Sequence, residues 1–132
     1  MRLKEKVSII TGAASGFGEG IAKKFSEEGA KLILVDINKD LLEKVSKDLN
    51  QDFFHTDVSS SSSMKKLSEY VLKKYGTIDI MVNNAGITHL PKPLEEVDEE
   101  EFDKVFAVNS KSVFLCGKFF VPYMKKQKKG SV

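Results

Sequence analysis

The stretch Val7 to Gly18, VSIITGAASGFG, constrains this chain more than any other: an apolar run stops at Gly12, Gly16 and Gly18 and hands over to a helical pattern. Val7, Ile9 and Ile10 are β-branched residues in an almost unbroken apolar run, which suits a parallel-sheet strand buried on both faces. From Ile21 the apolar positions Ile21, Ala22 and Phe25 recur at helical spacing, and Gly29 supplies the stop. The segment reads as strand, tight turn, helix. Glycines in such a turn let an anion come within reach of backbone N–H groups where a Cβ would hold it off, and the positive end of the new helix favours the charge. They also suit a turn whose glycines only relieve tight packing, so glycines alone leave both readings open.

Two further features favour a dinucleotide. The second apolar run, Lys31 to Asp36, ends in an acid 18 residues beyond Gly18, where a dinucleotide fold needs a carboxylate for the adenosine ribose hydroxyls. The run Gly12-Ala13-Ala14-Ser15-Gly16-Phe17-Gly18 also places three residues between the first two glycines, unlike the common GxGxxG fingerprint. Preceded by Thr11, this TGxxxGxG pattern resembles the short-chain dehydrogenase/reductase family, and the resemblance runs from Lys6 to Val132.

The totals agree with one domain of that kind. A chain of 132 residues can bury one real core and is too short for two ordinary domains. A formal charge of +2 is too small to argue for nucleic acid. No apolar run approaches the roughly 20 residues of a membrane span. The N-terminus leads straight into the first strand, so no signal peptide is expected. The single cysteine, Cys116, cannot form an internal disulfide, which makes a reducing cytoplasm the default. Its apolar helical surroundings fit a small buried hydrophobe better than a nucleophile.

After Asp36 the pattern predicts a helix from about Lys39 to Leu49 capped by Asn38, and a short strand from Asp52 to His55. The serine run Ser59 to Ser63 is a turn with several possible caps before a helix from Met64 to Lys74, closed by Gly76. Ile78 to Asn83 forms a fourth strand and Asn84-Ala85-Gly86 the next turn. Asp98 and Glu101 have capping-box spacing and open a long helical pattern, in which Pro122 is expected to cause a kink. Alternating strands and helices imply an α/β fold, a Rossmann-type doubly wound parallel sheet with right-handed crossovers. Gly130-Ser131-Val132 reads as a helix stop and the first residues of a fifth strand. The expectation is an incomplete NAD(P)-binding domain over residues 1–132, the N-terminal half of a longer protein.

The resemblance implies roles residue by residue. Thr11, Gly12, Ser15, Gly16 and Gly18 would form the cofactor turn, and Phe17 would line the nicotinamide side. Asp36, with Ile37 beside it, would bind the adenosine ribose and favour NAD over NADP, because a carboxylate repels the extra phosphate. Asp57 and Val58 match the family's adenine-contacting pair. Asn83-Asn84-Ala85-Gly86 matches its NNAG signature, in which Asn83, Ala85 and Gly86 are assigned to the cofactor side. Asn109 matches the asparagine of the catalytic tetrad, which breaks its helix locally and holds a water in a proton relay.

The other tetrad members, a serine after the fifth strand and a later Tyr-x-x-x-Lys, are absent from the chain. Tyr70 to Lys74 fits that spacing but precedes the fourth strand, so it reads as coincidence. In a complete relative a lysine lowers the tyrosine's pKa and hydride passes between nicotinamide and an alcohol or ketone. A sugar, a 3-oxoacyl thioester and a small secondary alcohol all stay open as substrates. Relatives form dimers or tetramers, so a homo-oligomer is expected of the complete protein. A non-catalytic NAD-binding module is the competing reading, and this chain alone is expected to be inactive. Neither His55 nor His89 has a partner at metal-ligand spacing, and no metal is expected. Lys125, Lys126, Lys128 and Lys129 read as a solvated helix end complementing the dipole rather than a nucleic-acid or membrane patch.

Overall fold

The four apolar runs pair as parallel strands β1 (Val7–Thr11), β2 (Lys31–Asp36), β3 (Asp52–His55) and β4 (Ile80–Val82), in the order β3-β2-β1-β4. These elements come from a computed structural model that describes every residue from Met1 to Val132. Every residue of β1 is buried, as are Leu32 to Val35 of β2, because both faces of the sheet carry helices. Ile9 pairs with Ile33 on one side and Met81 on the other, which sets the register. Helices α1 (Gly16–Glu27) and α2 (Lys39–Leu49) cover the face carrying Ile10, Leu32 and Leu34. Helices α3 (Ser61–Tyr75) and α5 (Ser112–Lys126) cover the face carrying Ile9, Ile33 and Val35. Between them, α4 (Glu99–Phe106) runs into α5 through a π-wound turn over Ala107–Lys111.

Element ends follow from caps. Asn38 accepts from the Leu41 amide, as expected, and Asn50 closes α2 in the left-handed conformation. Helix α3 starts at Ser61, ahead of the expected Met64, because the Ser60 hydroxyl accepts from the Ser63 amide and nucleates an extra turn. The Asp98 and Glu101 capping box opens α4. Strand β4 is shorter than the expected Ile78 to Asn83. Its approach is diverted by Asp79, whose carboxylate accepts from the Val7 amide at 3.0 Å, and lies 3.1 Å from the Lys129 ammonium. Pro122 lies inside α5, and the irregular winding occurs upstream, at the π turn. At the end of the chain Ser131 bridges Ile80 in parallel, with the Met81 amide donating to its carbonyl at 2.9 Å. The expected first residues of a fifth strand therefore lie against β4.

Tyr70 and Lys74 have a role far from the glycine turn. Asp52 opens β3, at the opposite end of the sheet, and its Oδ2 accepts from Tyr70 at 2.6 Å, Lys74 at 2.7 Å and Tyr75 at 3.1 Å. The cluster ties the edge strand to α3. Burial pushes the Asp52 carboxyl up, but the bonds from Lys74, Tyr70 and Tyr75 outweigh it and hold it below its ordinary value.

The glycine turn is packed against the turn after β4. Gly12 has φ +65, and a Cβ there would fall 2.8 Å from Asn84 Nδ2 and 3.0 Å from Ala85 Cα. A Cβ on Gly18 would fall 1.9 Å from the Gly12 carbonyl oxygen. Both therefore serve close packing, whereas a Cβ on Gly16 would meet nothing within 4 Å.

Two outcomes follow. Gly18→Ala forces the start of α1 away from the turn and should cost roughly 3 kcal/mol in urea unfolding followed by circular dichroism; an unchanged midpoint would contradict this packing. For Asp52, a folded-state pKa below the unfolded one means a stabilisation present above about pH 4 and lost as pH falls through the folded value. Asp52→Asn should be less stable by about 2 kcal/mol at neutral pH. The gap between the two proteins should narrow when melting is followed toward pH 3.

Candidate active site

The chain passes from β1 outward to β2 and β3, then crosses to the other side of β1 to form β4. Neighbouring strands β1 and β4 thus send their following helices to opposite faces of the sheet, which leaves a crevice at their carboxyl ends, the place where open α/β sheets bind ligands. A cavity of about 600 Å³ lies there. One wall is the glycine turn, with Gly12, Ser15, Gly16 and Phe17; Asp36 and Ile37 follow from the end of β2. The segment after β3 contributes Thr56, Asp57, Val58 and Ser59, and the turn after β4 contributes Asn84, Ala85, Gly86 and Ile87. Lys104 of α4 and Val108 of the π turn close the far side.

Thr11 makes the crevice possible without lining it. Its hydroxyl, on a buried side chain, donates to the Val82 carbonyl at 3.2 Å and accepts from the Asn84 and Ala85 amides at 3.0 Å each. The Asn84 side chain returns across the gap, donating to the Thr11 carbonyl at 3.0 Å and the Gly12 carbonyl at 3.3 Å. These bonds fix the two turns relative to one another. Ser15 is the N-cap of α1 but its side chain caps no amide, so the first-turn N–H groups at Gly16, Phe17 and Gly18 stay available to an anion. Phe17 is 89% exposed at the rim, an open position for a large apolar ring.

Asp36 is held at both oxygens. Its Oδ2 accepts from the Ala14 amide at 3.0 Å and its Oδ1 from the Asn38 amide at 2.9 Å, so the carboxylate is fixed between the glycine turn and the start of α2. Asp57 Oδ1 accepts from the Ser59 amide at 2.9 Å and the Ser59 hydroxyl at 2.6 Å. Asn109 lies beside Val108 on the π turn. Its amide pairs with the Ile87 backbone in both directions, accepting from the N–H and donating to the carbonyl at 2.8 Å each. The next carbonyl back, that of Val108, takes the Ser112 hydroxyl. Asn109 therefore anchors the segment leaving the Asn84 to Gly86 turn.

The sequence candidates divide in position. Gly12, Ser15, Gly16, Phe17, Asp36, Ile37, Asp57, Val58, Ala85 and Gly86 line one cavity. Thr11, Gly18 and Asn109 stand behind its walls. Asn83 points its amide at Cys116 Sγ, 3.4 Å away, and Asn84 rather than Asn83 reaches the cavity. Cys116 is fully buried, and burial pushes its thiol up against the smaller opposing effect of Asn83. His89 bonds the Leu90 carbonyl in an exposed loop. Lys104 and Val108 were open to discovery from helical spacing, because they sit four residues apart on the face that also brings Asn109 close. Thr56 and Ser59 simply flank the Asp57-Val58 pair. No group of His, Cys, Asp and Glu side chains could hold a metal ion, and no helix is long and apolar enough to cross a membrane.

The geometry agrees with comparisons to known proteins. The short chain dehydrogenase family model matches residues 6–132. Zerumbone synthase of Zingiber zerumbet is 44% identical over 137 aligned positions, covering 100% of this chain and 51% of that protein. The 3-oxoacyl-acyl-carrier-protein reductase FabG of Thermotoga maritima is 42% identical, over 100% of this chain and 55% of that protein. Among solved structures, the 3-ketoacyl-(acyl-carrier-protein) reductase from Brucella melitensis, complexed with NADH, superimposes with a TM-score of 0.90 at 40% identity, over 94% of this chain and 52% of that one. A metagenomic short-chain oxidoreductase in complex with NADP gives 0.93 at 30% identity, over 98% of this chain and 61% of that one. The chain spans about half the length of the curated relatives it matches. With a family model matched from Lys6 to the last residue and a parallel sheet that superimposes on solved relatives, this chain belongs to the short-chain dehydrogenase family.

Proposed function

We propose that residues 1–132 are the cofactor-binding part of an NAD-dependent oxidoreductase that moves a hydride between a nicotinamide and an alcohol or ketone. The observation that carries this reading is the Asp36 carboxylate, fixed at both oxygens on the wall of the cavity beside the glycine turn. A carboxylate accepts hydrogen bonds from ribose hydroxyls and repels a ribose phosphate, which favours NAD over NADP. The family does not decide this point, since its solved members include one complexed with NADH and one with NADP.

The residues suit a dinucleotide. The open space beside Gly16 and the uncapped first turn of α1 fit a pyrophosphate. Asp36 and Ile37 would hold the adenosine ribose, Asp57 and Val58 the adenine, and Ala85 and Gly86 the nicotinamide-side ribose, with Thr11, Gly12, Ser15 and Gly18 shaping the turn and Asn83, turned to Cys116, packing behind it. Bound nicotinamide supplies or takes up the hydride. Asn109 would keep the Ile87 segment in place and hold a water in the proton relay. Tyr70 cannot serve as the acid, because its hydroxyl is committed to Asp52 at the far end of the sheet.

A sugar, a small secondary alcohol and a 3-oxoacyl thioester fit the reaction class, the last matching the reductase names of the Thermotoga and Brucella relatives. The complete protein would work in the cytoplasm as a homo-oligomer. Exposed Phe102, Phe106, Val113 and Phe114 on α4 and α5 support a covered helix face. A non-catalytic NAD-binding module is the second reading, supported by a sheet with helices on both faces.

Calorimetric titration tests the binding claim: NAD should bind more tightly than NADP, and Asp36→Ala should weaken NAD about tenfold while narrowing that preference. No saturable binding of either nucleotide would overturn the reading. The purified chain should show no NAD-dependent turnover of secondary alcohols; measurable NADH formation would refute the expectation of inactivity.

A further inference from the structure

We infer that His55 is a positioning residue that sets the preference for NAD by holding the Asp36 carboxylate through the Ile37–Asn38 peptide. His55 ends β3 in register with Asp36 of β2. It does not line the cavity, but its Nε2 lies 2.9 Å from the Ile37 carbonyl oxygen. A carbonyl only accepts, so Nε2 carries the proton and donates. The N–H of the same peptide, on Asn38, donates to Asp36 Oδ1 at 2.9 Å.

The two bonds are mechanically linked. The peptide is planar and trans, with its C=O and N–H pointing in opposite directions. Anchoring the oxygen on His55 therefore aims the N–H at the carboxylate. With the carbonyl released, the peptide plane is free to rotate about its flanking bonds, and Asp36 Oδ1 loses the donor that fixes it. The backbone on either side is already tied, by the Thr56 amide to the Asp36 carbonyl at 3.1 Å and by the Asn38 side chain to the Leu41 amide at 3.1 Å. The freedom released is thus confined to the one peptide that governs the carboxylate. Asp36 Oδ2 keeps its bond from Ala14, so the carboxylate would swivel rather than leave.

This inference rests on the reading that the cavity takes NAD with Asp36 at the adenosine ribose. A fixed carboxylate accepts well from two ribose hydroxyls and repels a phosphate in their place; a swivelling one does both less well. The effect of His55 should therefore fall on the choice between nucleotides and not on binding in general.

The test is calorimetric titration of the unaltered chain, His55→Leu and His55→Gln with NAD and with NADP, beside amide hydrogen exchange at Asn38. His55→Leu should weaken NAD about fivefold, as loss of one positioned hydrogen bond would. NADP affinity should hold or rise, and the Asn38 amide should lose protection. His55→Gln keeps a donor on a side chain of similar reach and should restore both. An equal loss for both nucleotides, an unchanged preference, or undiminished Asn38 protection in His55→Leu would each overturn the inference while leaving the NAD reading intact. If neither nucleotide binds the unaltered chain, the NAD reading falls and the inference with it. His55 is exposed, so the variants should fold, and equal melting temperatures would separate the effect from general destabilisation.

Discussion

The crevice depends on the cross-connection between Thr11 and Asn84. Strands β1 and β4 pair through three registered positions, Ser8 with Ile80, Ile9 with Met81 and Ile10 with Val82. Beyond them the chain must turn away in both strands, and the ladder can no longer hold the ends together. One hydroxyl and one side-chain amide take over: Thr11 Oγ1 accepts from two amides of the Asn84 turn, and Asn84 Nδ2 reaches back to the Thr11 and Gly12 carbonyls. A buried backbone group left unpaired here would cost about 1–3 kcal/mol, so the site's geometry is enforced by the same bonds that stabilise the turns.

The polar groups around the cavity follow a common economy. Asp36 and Asn109 each bond the backbone of a neighbouring segment, and Asp57 bonds the backbone two residues on within its own. Such groups are preorganised, since the segments they touch are set before a ligand arrives. The arrangement also explains why the π turn sits where it does. Winding the helix more widely at Ala107–Lys111 brings Asn109 alongside Ile87, and Ser112 meets the Val108 carbonyl within the same turn.

Strand polarity separates the Tyr70, Lys74 and Asp52 cluster from the polar pair His55 and Asp36. In a parallel sheet all carboxyl ends share one edge, so a residue at the start of a strand and one at its end are separated by the sheet's full height. Asp52 opens β3 and His55 closes it. Tyr70, Lys74 and Tyr75 converge on the first and reinforce the edge strand against α3, whereas His55 stands beside Asp36 at the site. Chemistry-bearing residue types at familiar spacing thus acquire different uses from the end of the strand they meet.

Local pattern determined much of this protein. The apolar runs, the Asn38 cap, the capping box at Asp98 and the bounds of α2 and β3 were legible because hydrophobic period and side-chain caps act over a few residues. The TGxxxGxG turn and Asp36 were legible because each closes a strand and strand ends on one side of a parallel sheet converge, and the Asn83 to Gly86 run because it resembles a family signature at the end of the fourth strand. What the linear pattern could not decide was the direction of individual side chains and the reason for individual glycines. Asn83 and Asn84 are chemically identical neighbours, yet one turns into the core toward Cys116 and the other spans the crevice. Gly12 and Gly18 are required by packing at 2.8 Å and 1.9 Å, and Gly16 faces open space. Those distinctions arise from tertiary contacts that a linear pattern does not contain, Asn83 with Cys116 and Thr11 with Asn84 among them, and the second exists only after the chain has crossed over β1 and brought β4 to its side.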